Sequence, residues 1–170
     1  MGRPVMKYFV PISMGRITAV LAANSVIGAM RNGSATTSIH IRRISATIGF
    51  DGVGNPDSAQ FAFVRFSGAN FTGGTAIVPA KADSVQPASV VTDARQSPST
   101  ALGQVGVAIE ATPLIVTQNQ RSTSATTSEV HLWARHDGPV LNPGEGLCIL
   151  LPMASIVGDY ISGTVSYDGP

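Results

Sequence analysis

Glycine and proline interrupt this chain along its whole length, and between the interruptions the apolar residues keep to every second position. The 18 glycines and 11 prolines leave no long stretch free of breakers or of repeated Ser and Thr. A helix needs such a stretch, built from good formers, and Leu, Glu and Lys are scarce here. Val, Ile and Phe, with Thr, carry the pattern instead, and these residues suit a pleated surface. The chain therefore reads as all-β.

About nine strands can be marked. "GRITAVLAANSVIGAM" is one or two strands, closed by the tight-turn signal Asn32-Gly33. In "SIHIRRISATIGF", Ile39 and Ile41 alternate on one phase and Ile44, Ala46, Ile48 and Phe50 on the other. The slip at Arg42–Arg43 is the mark of a β-bulge. "AQFAFVRF" repeats it, with Phe61 and Phe63 on one phase and Val64 and Phe66 on the other. Pro79, Pro87 and Pro98 allow only a long crossing segment with short elements. "QVGVAIEATPLIVTQ" alternates Val105, Val107 and Ile109, and "QNQRSTSATTS" reads as a polar loop. In "EVHLWARHDG", Val130, Leu132 and Ala134 share one face and His131, Trp133 and Arg135 the other. "EGLCILLP" is apolar on both phases, as a central strand is. "YISGTVSYDG" sends Ile161, Val165 and Tyr167 inward and Ser162, Thr164 and Ser166 outward. Short strands, regular turns and one irregular crossing predict a two-sheet antiparallel sandwich of jelly-roll type.

At 170 residues, 44% hydrophobic and 12% charged, one domain is expected. Pro4 and Pro11 bracket an extended N-terminal arm over residues 1–12, leaving the sandwich to residues 13–170. Residues 1–50 hold six bases (Arg3, Lys7, Arg16, Arg31, Arg42 and Arg43) and no acid; the rest holds five bases and ten acids. Only Arg42–Arg43 cluster, so the basic part predicts a protein contact rather than nucleic acid. "ITAVLAA" is too interrupted by Pro11, Arg16 and Asn24 for a secretory signal, and no run reaches membrane-spanning length.

The chemistry-bearing patterns fail on spacing. In "FSGANFTGGTAIVPAKADS" the glycines precede Pro79, and Lys81 is followed by Ala82, so no helix opens over a phosphate. The glycines are expected to supply positive φ in a tight connection. His40, His131 and His136 lack triad partners, and His131, His136 and Asp137 do not make a metal shell. Asp51, Asp137, Glu145 and Asp168 sit by turn glycines, where carboxylates bind local backbone. Cys148 reads as a small buried hydrophobe. No catalytic residue, cofactor or metal is expected. The residues expected at an interface are Arg42, Arg43, Trp133, Lys7 and Arg16.

Two stretches together carry a resemblance. "FVRFSGANFTGGTAIVPAKADSVQPAS", then "VLNPGEGLCILLP" and "GDYISGTVSYDG", resemble small jelly-roll proteins of tailed bacteriophages, and "IHIRRISATIGF" suits the same pattern. The similarity spans residues 37–168. It implies a non-enzymatic structural protein located in the virion: a capsid decoration or head-associated protein, or a fibre or tail component. Its partners would be the major capsid protein or other virion proteins, and its own copies as a homo-oligomer such as a trimer. No nucleic acid or membrane is implied. A glycan- or receptor-binding module, with Trp133 exposed, is the rival reading. A jelly-roll lyase or cupin-type metalloprotein fits worst.

Overall fold

The cleanest alternation in the sequence becomes the centre of a sheet. Ile161, Val165 and Tyr167 are buried, while Ser162, Thr164 and Ser166 point outward and are half-exposed. The protein is seen here in a computed structural model that describes residues 6–50, 58–121, 126–134 and 137–169. Among the described residues there is no helix, and none therefore is long and apolar enough to cross a membrane. The strands are β1 (Met6–Arg16), β2 (Val26–Asn32), β3 (Ile39–Phe50), β4 (Ser58–Gly68), β5 (Thr75–Ala76), β6 (Ala80–Lys81), β7 (Val91–Gln96), β8 (Val107–Ile109), β9 (Ile115–Gln120), β10 (Thr126–Leu132), β11 (Val140–Leu141), β12 (Gly146–Leu150) and β13 (Asp159–Gly169).

They form two antiparallel sheets packed as a sandwich. One runs β10-β3-β13-β1-β6, with β11 also on β3; the other runs β5-β7-β2-β12-β4-β8, with β9 also on β4. With β5–β8 and β11 set aside, the remaining strands lie in the orders β1-β13-β3-β10 and β2-β12-β4-β9, consistent with a jelly roll. The main core lies between the sheets and includes Ile41, Ile44, Ile48, Phe61, Phe63, Leu147 and Ile161.

Residues 1–12, expected as an arm, are strand from Met6 onward; residues 1–5 lie outside the described residues. Tyr8, Val10 and Ile12 alternate into the core, and Tyr8 stacks on Tyr167 with ring centroids 5.5 Å apart. Pro11 is tolerated because β6 reaches only Tyr8 and Phe9, so the flank beyond has no ladder to lose. A bulge follows between Ile12 and Gly15, with Gly15 at φ +59°.

The bulge expected at Arg42–Arg43 is present: Ser166 pairs with Arg43 and Tyr167 with Ile41, leaving Arg42 as the extra residue. The slip expected in β4 is not there. Its register against β12 is continuous from Phe66 to Ala62. Both phases of β4 are apolar because both faces are covered. Ala62, Val64 and Phe66 lie under the segment joining β4 to β9 and form a second cluster with Cys148, Phe71 and Leu102. Phe71 meets Phe66 edge to face at 4.8 Å.

Asn32-Gly33 does not close a hairpin, because β2 and β3 belong to different sheets. Asn32 is buried, donates from Nδ2 to the carbonyls of Thr37 and Leu141, and accepts the Ser34 amide on Oδ1. That side-chain turn starts a crossover instead. "QNQRSTSATTS", expected as a loop, is strand at both ends: β9 runs to Gln120 and β10 starts at Thr126, with 122–125 outside the described residues. Thr117, Asn119 and Arg121 point inward and are buried, a polar phase that apolar periodicity does not register.

A candidate interaction face on the outer side of one sheet

Cross-strand register sets the side chains of the β10-β3-β13-β1 layer in rows on its outer surface. One row is Leu132, Arg43, Ser166 and Phe9. The next is Val130, Ser45, Thr164 and Pro11, and a third holds Ser128, Thr47 and Ser162. On the other side of the first row stand Val140, His40, Asp168 and Lys7. The middle of the face is small and hydroxylated: Thr47 and Ser128 share a hydrogen bond of 2.9 Å, and Ser45 donates to the Thr164 carbonyl at 3.5 Å. One margin is apolar and exposed, with Val130 at 50% and Leu132 at 71%. The other margin carries half-exposed Phe9 and Pro11.

Three of the expected interface residues meet here. Arg43 projects from the bulge and is exposed, and so is Lys7. Arg42 is drawn back by Asp168, Nε to Oδ2 at 3.2 Å. Arg16 is exposed at the far end of β1, about 30 Å from Lys7 at the rise of an extended strand, and belongs to another region. Trp133 is half-buried against the main core, its amide bonded to the Arg42 carbonyl at 3.1 Å and its ring beside that of His131.

The alternation in "EVHLWARHDG" is thus inverted relative to the apolar reading. Val130 pairs with Ser45 and Leu132 with Arg43 on the outer phase, while His131 pairs with buried Ile44. Register against β3 sets this: Ile44 points inward, so its partner His131 does too, and Val130 and Leu132 are left in water. Sequence reasoning missed Val130 and Leu132 for this reason, a Trp on the minority phase being the available signal, and missed Phe9 because it lies within the residues 1–12 expected as an arm.

The other candidates resolve locally. Gly68, Gly73 and Gly74 all have positive φ, and a Cβ on Gly68 would lie 2.4 Å from the Gly106 carbonyl oxygen. Lys81 bonds the Gln86 carbonyl at 2.9 Å. In "LNPGEGL", Gly144 has φ +83°, the Glu145 amide bonds the Asn142 carbonyl, and the Glu145 carboxylate accepts the Asn142 amide at 2.8 Å. Gly146 serves close approach: a Cβ there would lie 2.4 Å from the Met30 carbonyl oxygen and from the Phe66 ring. Cys148 is fully buried, and burial pushes its thiol up to about 12. No group of three metal-ligating side chains occurs among the described residues; His136 lies outside them. Tyr167 shares a hydrogen bond with Ser89; burial pushes its phenol up to about 12, the Ser89 bond opposing and Tyr8 adding to the shift.

No protein-family model, curated protein or solved structure matches the chain.

Proposed function

We propose that this chain is a structural virion protein of a tailed bacteriophage, a capsid decoration or head-associated protein that binds the capsid and its own copies. The observation that carries the reading is the outer face of the β10-β3-β13-β1 layer. It joins exposed Val130 and Leu132 to a small hydroxylated centre, with Arg43 and Lys7 as exposed cations. Small side chains let another protein surface approach closely, and the exposed apolar margin is what such a contact buries. Strand orders consistent with a jelly roll, and the "LNPGEGL" turn into a central strand, support the same reading.

A fibre or tail component is the alternative, and it would differ in which virion protein it meets. The glycan-binding reading gains nothing from Trp133, which packs against the core.

The test is co-sedimentation with heads, tails and fibres of the phage that, on this reading, encodes the chain. The reading expects the chain to pellet with heads at a fixed ratio. A chain that stays in the supernatant with heads, and also with tails and fibres, refutes it.

A further inference from the structure

We infer that two copies of this chain pack face to face through the outer surface of the β10-β3-β13-β1 layer, about a two-fold axis that runs along the strands between β3 and β13. This narrows the homo-oligomer part of the proposed function to a pair, and it rests on that reading only for the idea that copies meet.

The rows themselves carry the argument. A two-fold axis in that position exchanges β10 with β1 and β3 with β13, keeping each row in place. Leu132 then faces Phe9 of the second copy, and Val130 faces Pro11, so the apolar margin of each copy covers that of the other. Ser45 faces Thr164, hydroxyl against hydroxyl. Arg43 faces Ser166 and not its own mate, and the two exposed guanidinium groups stand on either side of the axis about one strand spacing, roughly 4.8 Å, apart laterally. In the row beyond, His40 faces the second copy's Asp168, again without like charges opposed. An isologous interface needs this kind of self-complementarity.

The size is right for a stable pair. At strand spacings of about 4.8 Å and a rise of about 3.4 Å, β1, β3 and β13, eleven or twelve residues each, and β10, seven residues, cover roughly 670 Å² per copy. A standard interface buries about 800 Å² per partner. The outer side of the other sheet offers no such plane, because the segment joining β4 to β9 already covers it.

The experiment combines light scattering with a cross-link. The wild-type chain is expected to elute at twice its 17.5 kDa mass. Thr164→Arg, at the centre of the face, and Leu132→Asp, at its margin, are each expected to raise the dimer dissociation constant at least about tenfold, with unchanged circular dichroism. Thr164→Cys is expected to give covalent dimers with a bismaleimide of about 10 Å, the spacing of packed sheets. Val105→Cys, on the 88%-exposed Val105 of the β4–β9 segment, is expected to give none. An edge-to-edge pair through β10 would hold the two Thr164→Cys thiols five strand spacings apart, about 24 Å, and would not be bridged. Monomer at about 100 μM, a trimer, or a dimer indifferent to Thr164→Arg and unbridged by Thr164→Cys overturns the inference. If heads fail to bind the chain while Thr164→Cys still bridges it, the virion reading falls and the pair stands.

Discussion

Asp159 is the residue whose loss the fold should feel most sharply. It opens β13, and its carboxylate is almost wholly enclosed, as is the guanidinium of Arg121. Arg121 donates from Nε to Oδ1 at 2.8 Å and from Nη2 to Oδ2 at 2.7 Å, and Oδ2 also accepts the Ile156 amide at 2.9 Å. The same arginine reaches the Ala154 carbonyl at 3.1 Å, and the Asp159 carbonyl accepts the Ile17 amide at 2.6 Å. One ion pair thus ties the end of β9 to the β12–β13 connection, next to the backbone bond that holds the start of the β1–β2 connection. Asp159→Ala leaves a buried cation and a buried amide without their acceptor. Removing one partner of such a pair costs about 3–5 kcal/mol. For a domain of this size that is a fall of about 6–20 °C in Tm. Replacing both partners by Arg121→Met and Asp159→Leu removes the charges together and should return stability to within about 2 kcal/mol of wild type. Urea unfolding followed by circular dichroism measures both. If Asp159→Ala lies within about 1 kcal/mol of wild type at the same m-value, the pair is not the tie described here.

Phe71→Ala empties the middle of the second cluster and should cost about 3–5 kcal/mol. Amide exchange should show whether the β4–β9 segment loosens first; a loss below about 1 kcal/mol would mean that this segment does not depend on its apolar contact with β4. Tyr167 gives a pH test. Its folded pKa is raised from 10 to about 12, so the folded chain holds a proton that the unfolded chain releases in that interval. Stability should be unaffected by this group below pH 10 and should fall as pH rises from 10 toward 12, with the loss reduced in Tyr167→Phe. An equal loss in Tyr167→Phe would assign the alkaline transition to other groups.

Much of the sandwich is legible in the sequence, because a sheet with one buried face writes its alternation directly. β13 and the Arg42–Arg43 bulge are read from apolar phase alone. What is not legible arises where burial has another source. Both phases of β4 are apolar because a second layer covers it, and a phase slip looks the same in one dimension. The C-terminal part of β9 hides because its inward residues Thr117 and Asn119, and Arg121 just beyond it, are polar and made tolerable by partners distant in sequence such as Asp159 and the Phe61 carbonyl. The candidate face is half visible: its cations Lys7, Arg42 and Arg43 stand out in an acid-free stretch, but alternation puts Val130 and Leu132 on one phase without saying that this phase faces out. Which of two apolar phases turns inward depends on the neighbouring strand, and β3 decides it for β10.

The flank of β1 has a consequence for how such molecules can associate sideways. On that side the sheet finishes in a two-residue strand, a proline at position 11 and a kinked ladder at Gly15, three features that deny a newcomer a straight template. Thr126–Leu132, at the opposite border, contains neither proline nor glycine. Within this sheet the β10 border is therefore the receptive one of the two, and lateral addition is directed there, where two molecules would meet border to border.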